Sequence, residues 1–176
     1  MNILSNLFNE IGTFGPIILI FLSMFLLWNK HNLFFYYTIG VFINAMLNLV
    51  IKGILQQPRP SEDPKMFNLA LTNGKRLIFK NGIPHDIFGM PSGHSQSSIF
   101  SSIFIYLSLR NINTLFFYLF ISLITMAQRI VYNYHTVLQV IVGSIVGAGF
   151  GYFTYYLAKE KIKGHISEKN DDFGPI

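Results

Sequence analysis

The sequence predicts an all-α fold, a polytopic membrane helical bundle of about five transmembrane helices preceded by an N-terminal interfacial helix. Hydrophobic residues fill 51% of the 176 positions and charged residues only 12%, which is about half the charged share of a typical soluble domain. Several apolar runs also approach the about 20 helical residues that cover a hydrocarbon core. We therefore interpret residues 1–176 as a single integral-membrane domain.

The apolar runs divide the chain in order. They cover residues 15–28, 33–55, 99–109, 115–131 and 137–158. Before the first run, residues 1–11 carry apolar side chains at helical spacing, which predicts a helix along the membrane interface. Tight polar links join the first run to the second and the third to the fourth, and residues 159–176 form a charged polar tail.

The composition also excludes classes of site. The chain has no cysteine, which excludes a disulfide framework, a thiolate zinc site and a cysteine nucleophile. Its net charge of +5 comes from basic residues that do not form one run. This balance fits a phosphate-bearing substrate or an anionic membrane surface better than a nucleic acid, so we expect no nucleic-acid partner.

The connection over residues 56–91 is much longer than the others and contains five prolines. Loops of this length in compact folds are usually functional, so we interpret it as a substrate loop. Residues 67–72 and 75–80 flank Asn73-Gly74, a pair suited to a type I′ turn, and this predicts a short β-hairpin.

Polar residues inside the apolar runs are the first candidates for a site. Asn44, Asn48 and Lys52 recur every four residues and so share one face of the second predicted helix. An ionisable residue at membrane depth is by default a functional candidate, and this face leads to Arg59 between two prolines. The alternative is that Lys52 extends to the headgroups and Arg59 is a membrane anchor.

A short motif, Pro91-Ser92-Gly93-His94, opens the third predicted helix. Ser92 is a suitable N-cap, and Gly93 lets an anion approach the free amides and the positive end of the helix dipole. His94 then lies on the first turn beside such an anion. Taken alone, a histidine here is more often a cap or a surface residue.

Arg129 and His135 lie where the fourth apolar run ends and the fifth begins. Gln139 follows His135 by four residues, so the two side chains can meet. An acceptor on one imidazole nitrogen fixes the tautomer and leaves the other nitrogen free as a nucleophile or base. The alternative is a polar helix end with a buried, satisfied histidine.

Together these motifs resemble the three-part signature of the type 2 phosphatidic acid phosphatase family, which also includes the vanadium haloperoxidases and acid phosphatases. The resemblance spans roughly residues 40–151. The motifs are Lys52-x6-Arg59-Pro60, Pro91-Ser92-Gly93-His94 and Arg129-x5-His135.

The resemblance implies a role for each motif residue. His135 corresponds to the nucleophile that forms a phosphohistidine, and His94 to the general acid that protonates the leaving oxygen. The residues that correspond to the phosphate-binding cradle are Lys52, Arg59, Ser92, Gly93 and Arg129. Phosphoryl transfer depends mainly on positioning and charge stabilisation, and the family needs no metal, so we expect no metal and no cofactor.

Two positions depart from the family pattern. The family usually has serine and aspartate where this chain has Gln128 and Gln139. A glutamine in the aspartate position is similar to the dolichyldiphosphatase branch, as is Tyr134-His135-Thr136, whereas Gly93 replaces a serine common in that branch. This narrower resemblance implies a polyprenyl diphosphate substrate, with Gln139 orienting His135.

Three alternatives remain at this stage. The first is a broad lipid phosphate phosphatase that acts on phosphatidate. The second is an inactive lipid-binding or scaffold member, because Gln139 is neutral. The third, a haloperoxidase, fits poorly with several apolar spans. We expect membrane lipids as partners, and the sequence leaves the oligomeric state open.

Two further expectations concern the bundle. The far side carries slightly more cations than the site side, so the positive-inside tendency predicts a lumenal or extracytoplasmic site, as in an endoplasmic-reticulum-like membrane. Gly143, Gly147 and Gly151 recur every four residues in the last helix. We favour close packing within the chain there, over a groove for a polyprenyl tail or a homodimer interface.

Overall fold

The computed structural model describes residues 3–80 and 82–162, and the fold it contains is a helical bundle. The elements are α1 (Ile3–Leu27), α2 (His31–Leu55), α3 (Pro64–Thr72), β1 (Leu77–Lys80), β2 (Ile83–Asp86), α4 (Gly93–Leu109), α5 (Ile112–Val131) and α6 (Val137–Ile162). The all-α prediction is confirmed. The predicted polar tail starts inside α6, and its residues from 163 onward lie outside the described part of the chain.

Four helices of the described chain, α1, α2, α5 and α6, are long and apolar enough to cross a membrane. Their outward faces carry large apolar side chains such as Phe21, Phe42 and Phe116. Soluble monomers rarely expose so much apolar surface, so these faces fit the hydrocarbon region of a bilayer. The prediction of a polytopic membrane bundle is confirmed.

Helix α4, predicted as the third membrane span, differs from the other four. It has 17 residues, about 25 Å of helix, and it contacts each of the other long helices. Most of its serines are buried, and Ser101 and Ser102 form hydrogen bonds to Tyr37 at 2.8 Å and Ser122 at 3.1 Å. It is the central helix of the bundle, and protein neighbours satisfy part of its polarity, whereas the buried hydroxyls of Ser98 and Ser108 have no hydrogen-bond partner in the described chain.

The structure corrects the predicted interfacial helix over residues 1–11. From Ile3 onward this segment is the first part of α1, which continues to Leu27. No proline separates the segment from the first apolar run, and Pro16 lies inside α1 without ending it. The side chain of Asn9 accepts a 2.9 Å hydrogen bond from Gln128 of α5, which holds the segment against the bundle.

The structure also corrects part of the predicted hairpin. Residues 67–72 belong to helix α3 and not to a strand. Asp63 caps this helix by accepting hydrogen bonds from the amides of Lys65 and Met66, and Pro64 occupies its first turn. An acceptor at the N-cap followed by proline is a strong helix start, and it determines the conformation of the residues after it.

The hairpin lies later in the chain, after α3. Strands β1 and β2 pair antiparallel, with Lys80 opposite Ile83. Gly82, the glycine of the second Asn-Gly pair of the sequence, lies between the two strands and has a φ of +79°. The expectation of a hairpin in the long loop is confirmed, but its position is wrong.

Glycines let α6 approach the backbone of α4. A Cβ atom on Gly147 would lie 2.2 Å from the carbonyl oxygen of Gln96, and one on Gly143 would lie 2.5 Å from that of Ser92. Small residues at such a contact allow two helices to pack closely inside a membrane. The structure thus supports packing within the chain, the interpretation that we favoured.

The bundle has an apolar interior and a polar end. An apolar and aromatic cluster that includes Leu19, Tyr37, Phe100 and Phe104 fills the interior. The polar motifs meet at one end of the bundle, where the end of α2 and the loop after it contact β2 and the start of α6. This end contains the candidate site.

Candidate active site

The structure brings all the sequence-predicted site residues to one end of the bundle. They lie at the end of α2 (Lys52), in the loop that follows it (Arg59), at the start of α4 (Ser92, Gly93 and His94), at the end of α5 (Arg129), just before α6 (His135) and in its first turn (Gln139). Direct contacts join these segments: Lys52 Nζ lies 3.1 Å from Asp86, Arg59 donates to the backbone carbonyl of Asp86, and the Ser92 amide donates to the carbonyl of Gln139.

His135 is held by the turn between α5 and α6. Its backbone amide donates a hydrogen bond of 3.1 Å to the carbonyl of Arg129. Thr136 and Gln139 then form a reciprocal pair of hydrogen bonds, both at 3.2 Å. The backbone amide of Gln139 donates to the Thr136 hydroxyl, and the backbone amide of Thr136 donates to the side-chain Oε1 atom of Gln139. This is a capping box, so the start of α6 determines where Gln139 points.

The side-chain amide of Gln139 has one possible orientation. Its Nε2 atom donates to the carbonyl of Pro58 at 2.8 Å, while its Oε1 atom accepts from the Thr136 amide. Because a carbonyl only accepts and an amide N–H only donates, the side chain cannot be reversed. The Oε1 atom therefore lies 3.2 Å from Nδ1 of His135 as an acceptor.

The tautomer of His135 follows from this contact. Nδ1 carries the proton that it donates to Gln139, and Nε2 keeps its lone pair. Burial, followed by the positive charges of Arg59 and Lys52, lowers the pKa of His135 to about 3, and hydrogen bonds to Gln139 and to the backbone of Gly89 only partly oppose this lowering. The ring is therefore neutral near pH 7, as a nucleophile must be.

Gly89 leaves room for the orienting side chain. A Cβ atom at this position would lie 2.6 Å from Gln139 Oε1, and Gly89 is itself fixed by a 2.7 Å hydrogen bond from its amide to the carbonyl of Gln57. The loop before α4 and the loop after α2 therefore both pack against the start of α6.

The start of α4 is arranged as the sequence predicts for a helix N-terminus. Ser92 is the N-cap, with its hydroxyl accepting from the amide of Ser95, and it is fully buried. The backbone amide of Ser92 donates to the carbonyl of Gln139 at 3.0 Å. The His94 ring is half-buried and donates a hydrogen bond to the Thr13 carbonyl of α1.

A buried amide network supports this turn from α2. Asn48 donates to the carbonyl of Pro91 at 3.2 Å and to Gln96 at 2.8 Å. Gln96 in turn donates to Asn44 at 2.9 Å. The polar face of α2 thus contributes two residues that position the start of α4 and one, Lys52, that reaches the site.

Arg129 lies against an aromatic ring instead of a carboxylate. Its guanidinium is 4.7 Å from the ring centroid of Tyr134, a cation–π contact. The residue is 7% exposed, and its Nε atom is buried with no hydrogen-bond partner in the described chain. A buried guanidinium donor without a partner costs free energy, and it fits an anion that occupies the site during function.

Lys52 and Arg59 both contact Asp86 of strand β2. Lys52 Nζ lies 3.1 Å from the Asp86 carboxylate, and Arg59 Nε donates to the Asp86 carbonyl at 2.8 Å. Lys52 is only 5% exposed. The alternative that Lys52 extends to the headgroups is therefore wrong.

Sequence reasoning missed three contributors to this arrangement. Thr136 could have been found, because Thr-x-x-Gln before an apolar run is a capping-box pattern. Asp86 and Arg76 carry no such local signal, because their partners are distant in the chain. Among residues 3–80 and 82–162, no group of three or more His, Cys, Asp or Glu side chains is placed to hold a metal ion.

Comparisons with known proteins agree with the motif resemblance. The chain is similar to a dolichyldiphosphatase of Saccharomyces cerevisiae, with 34% identity over 128 residues, 67% of this chain and 48% of that protein. It is also similar to dolichyldiphosphatase 1 of Rhinolophus ferrumequinum, with 30% identity over 125 residues, 62% of this chain and 46% of that protein. The chain spans about half the length of these relatives. A family model described as PAP2 superfamily matches residues 32–163, well over half of the sequence, and the chain therefore belongs to the PAP2 superfamily.

Proposed function

We propose that this protein is an integral-membrane lipid phosphatase that removes the terminal phosphate of a polyprenyl, dolichyl-type diphosphate without a metal. The observation that carries the proposal is the fixed Nδ1–H tautomer of His135 beside buried cations. An imidazole nitrogen held in this way is suited to attack a phosphorus atom. The two relatives named dolichyldiphosphatase support the choice of substrate.

The proposed reaction has two steps. Nε2 of His135 attacks the terminal phosphorus and the bond from phosphorus to the bridging oxygen breaks. His94, which must carry a second proton while the anionic substrate is bound, gives that proton to the bridging oxygen and becomes neutral. Water then attacks the phosphorus of the phosphohistidine while neutral His94 takes up a proton from it, the bond from phosphorus to Nε2 breaks, and phosphate leaves. Lys52, Arg59 and Arg129, with Ser92 and the Gly93 amide, stabilise the charge on the equatorial oxygens.

A cavity beside the proposed acid supports a lipid substrate. It has a volume of about 370 Å³ and lies between α1, α2 and α4, with His94 and Gly93 in its wall. The rest of its wall is mostly apolar and includes Ile17, Ile20 and Leu49. A hydrocarbon chain in this cavity would have its phosphate end at His94.

The first test is phosphate release by the purified protein in detergent micelles without added metal, with dolichyl diphosphate and phosphatidate compared. We expect faster release from the diphosphate and none from His135→Ala. His31→Ala, at the exposed start of α2, is the matched control and should keep full activity. Faster release from phosphatidate would move the substrate to glycerolipids, and full activity in His135→Ala would contradict the mechanism.

We further propose that the site faces the lumen of an endoplasmic-reticulum-like membrane. The chain has no cysteine, so a single introduced cysteine reports its own side of the membrane. In sealed vesicles with the cytoplasmic face outward, a membrane-impermeant maleimide should label Lys30→Cys and should not label Lys75→Cys. The opposite labelling pattern would contradict this orientation.

A further inference from the structure

Asp86 is the point at which three cations from different parts of the chain meet. Its carboxylate contacts Lys52 Nζ at 3.1 Å, and it accepts two hydrogen bonds from Arg76, from Nε at 3.3 Å and from Nη2 at 3.1 Å. The backbone carbonyl of Asp86 accepts a hydrogen bond from Arg59 Nε at 2.8 Å. The amide of Phe88 donates to the same carboxylate at 3.0 Å.

A carboxylate at this place poses an electrostatic problem. Lys52 and Arg59 are the cations that the proposed function assigns to the substrate phosphate, and Asp86 contacts both. An uncompensated carboxylate within a few ångströms of a phosphate would repel it strongly in a site of low dielectric constant. The negative charge of Asp86 therefore needs its own counterion if the site is to attract an anion.

Arg76 supplies that counterion and is also bound to α2. Its Nη1 atom donates to the carbonyl of Leu49 at 2.9 Å, and its guanidinium lies 5.4 Å from the ring centroid of Phe88. Its two remaining bonds go to Asp86. With its donors directed to α2 and to Asp86, Arg76 balances the charge of the carboxylate. Lys52 and Arg59 together therefore keep a net positive charge, which Glu62 reduces at Arg59.

We propose that Asp86 and Arg76 are positioning residues for phosphate binding. Asp86 holds Lys52 and Arg59 in place for the substrate, and Arg76 cancels the charge of Asp86 so that the carboxylate does not repel the substrate phosphate. This inference rests on the proposed function. It predicts that the effect of substituting Arg76 on phosphate affinity depends on whether Asp86 is present. A purely structural contact between the hairpin and α2 would not produce this coupling.

The test compares inorganic phosphate binding, by calorimetry in detergent, among Arg76→Gln, Asp86→Asn and the double variant. We expect Arg76→Gln to weaken binding about tenfold, about 1.4 kcal/mol, because the carboxylate is then uncompensated. The double variant should bind phosphate several-fold more tightly than Arg76→Gln, because no carboxylate remains. Lys75→Gln, an exposed cation next to Arg76, removes the same charge and should change binding less than twofold.

Two outcomes would overturn the inference. One is a double variant that binds phosphate no more tightly than Arg76→Gln, and the other is an Arg76→Gln variant that binds like Lys75→Gln. If thermal unfolding shows that Arg76→Gln does not fold, Arg76→Lys takes its place. Lysine keeps the charge and loses the paired bonds, so it should retain phosphate affinity within about threefold, and a tenfold loss would contradict charge compensation.

Calorimetry separates this inference from the proposed function. In one outcome, the variants show the expected coupling while the wild-type protein binds phosphate but releases none from any lipid. That result would support the Asp86–Arg76 pair and contradict the proposed function. Turnover of lipid diphosphate without the coupling would contradict the pair alone. A folded wild-type protein that does not bind phosphate would contradict both.

Discussion

Gln139 Oε1 lies 3.2 Å from His135 Nδ1, and the same side chain is anchored at both ends by backbone groups of Thr136 and Pro58. The usual family residue at this position is a carboxylate, which accepts at both oxygens. The side-chain amide of Gln139 has one acceptor oxygen fewer than a carboxylate, but it also has an N–H donor. This donor bonds to the Pro58 carbonyl and so connects the start of α6 to the loop after α2. Gln139 thus bonds to the imidazole of His135 without adding a negative charge to the candidate site.

Loss of this orientation should reduce turnover. In Gln139→Ala, His135 loses its side-chain acceptor and keeps only the backbone hydrogen bond to Gly89. We expect kcat to fall by about 100-fold or more, since loss of tautomer control costs up to about 10⁴ in the serine-protease triad. Initial rates of phosphate release would measure this. Thr136→Ala is the control: it weakens the cap of α6 by about 1 kcal/mol but should leave kcat within about threefold. Equal losses in the two variants would contradict an orienting role.

Acid should destabilise the folded protein through His135. Its pKa is about 3 in the folded state, against about 6.5 in an unfolded chain. Below pH 6.5 the unfolded state therefore binds a proton that the folded state does not, and the free energy of unfolding falls as the pH falls toward 3. Thermal unfolding in detergent from pH 7.5 to 4.5 should show a steeper fall in Tm for the wild type than for His135→Asn. Parallel curves would contradict a buried neutral His135.

The ring of Tyr134 should contribute to phosphate binding through Arg129. Their contact, 4.7 Å from guanidinium to ring centroid, uses the face of the ring and leaves the N–H donors of Arg129 for an anion. A cation–π contact contributes about 0.5–2 kcal/mol, so Tyr134→Leu should weaken inorganic phosphate binding several-fold. Tyr134→Phe keeps the ring and should bind as the wild type does. A loss in Tyr134→Phe as large as in Tyr134→Leu would assign the effect to the hydroxyl.

Two glycines of α6 should respond oppositely to alanine. A Cβ on Gly147 would meet the Gln96 carbonyl at 2.2 Å, whereas one on Gly149 would meet nothing within 4 Å. We expect Gly147→Ala to lower Tm, because α4 and α6 must separate. Gly149→Ala should raise stability by about 0.5–1 kcal/mol, because alanine favours a helix interior. A neutral Gly147→Ala would show that the helices can move apart at little cost.

Much of the fold could be predicted because its signals are local. Long apolar runs indicate membrane helices wherever they pack, and the spacing of Asn44, Asn48 and Lys52 places them on one face of α2 without knowledge of any neighbour. The central position of α4 could not be predicted in this way. Its serines make it look like a weaker membrane span in the sequence. Only the surrounding helices show that most of these serines are buried and that Ser101 and Ser102 form hydrogen bonds to neighbouring helices.

The long loop shows where local signals compete. Two Asn-Gly pairs, at residues 73–74 and 81–82, are both suited to a hairpin turn. The capped start of α3 at Asp63 makes the segment before the first pair helical, so only the second pair can join two strands. Residues 3–11 likewise belong to α1 and not to a separate interfacial helix. Their amphipathic pattern does not reveal whether membrane or protein covers the apolar face.

The sequence by itself determined the fold class and the identity of the motif residues, because apolar periodicity and motif spacing survive without any tertiary contact. Tertiary structure alone decided the electrostatics of the site. Asp86 is 34 positions from Lys52 and 27 from Arg59, and Asn9 is 119 positions from Gln128. Charge pairs and amide contacts act over a few ångströms of space, and no pattern along the chain records which distant groups the packed bundle brings within that range.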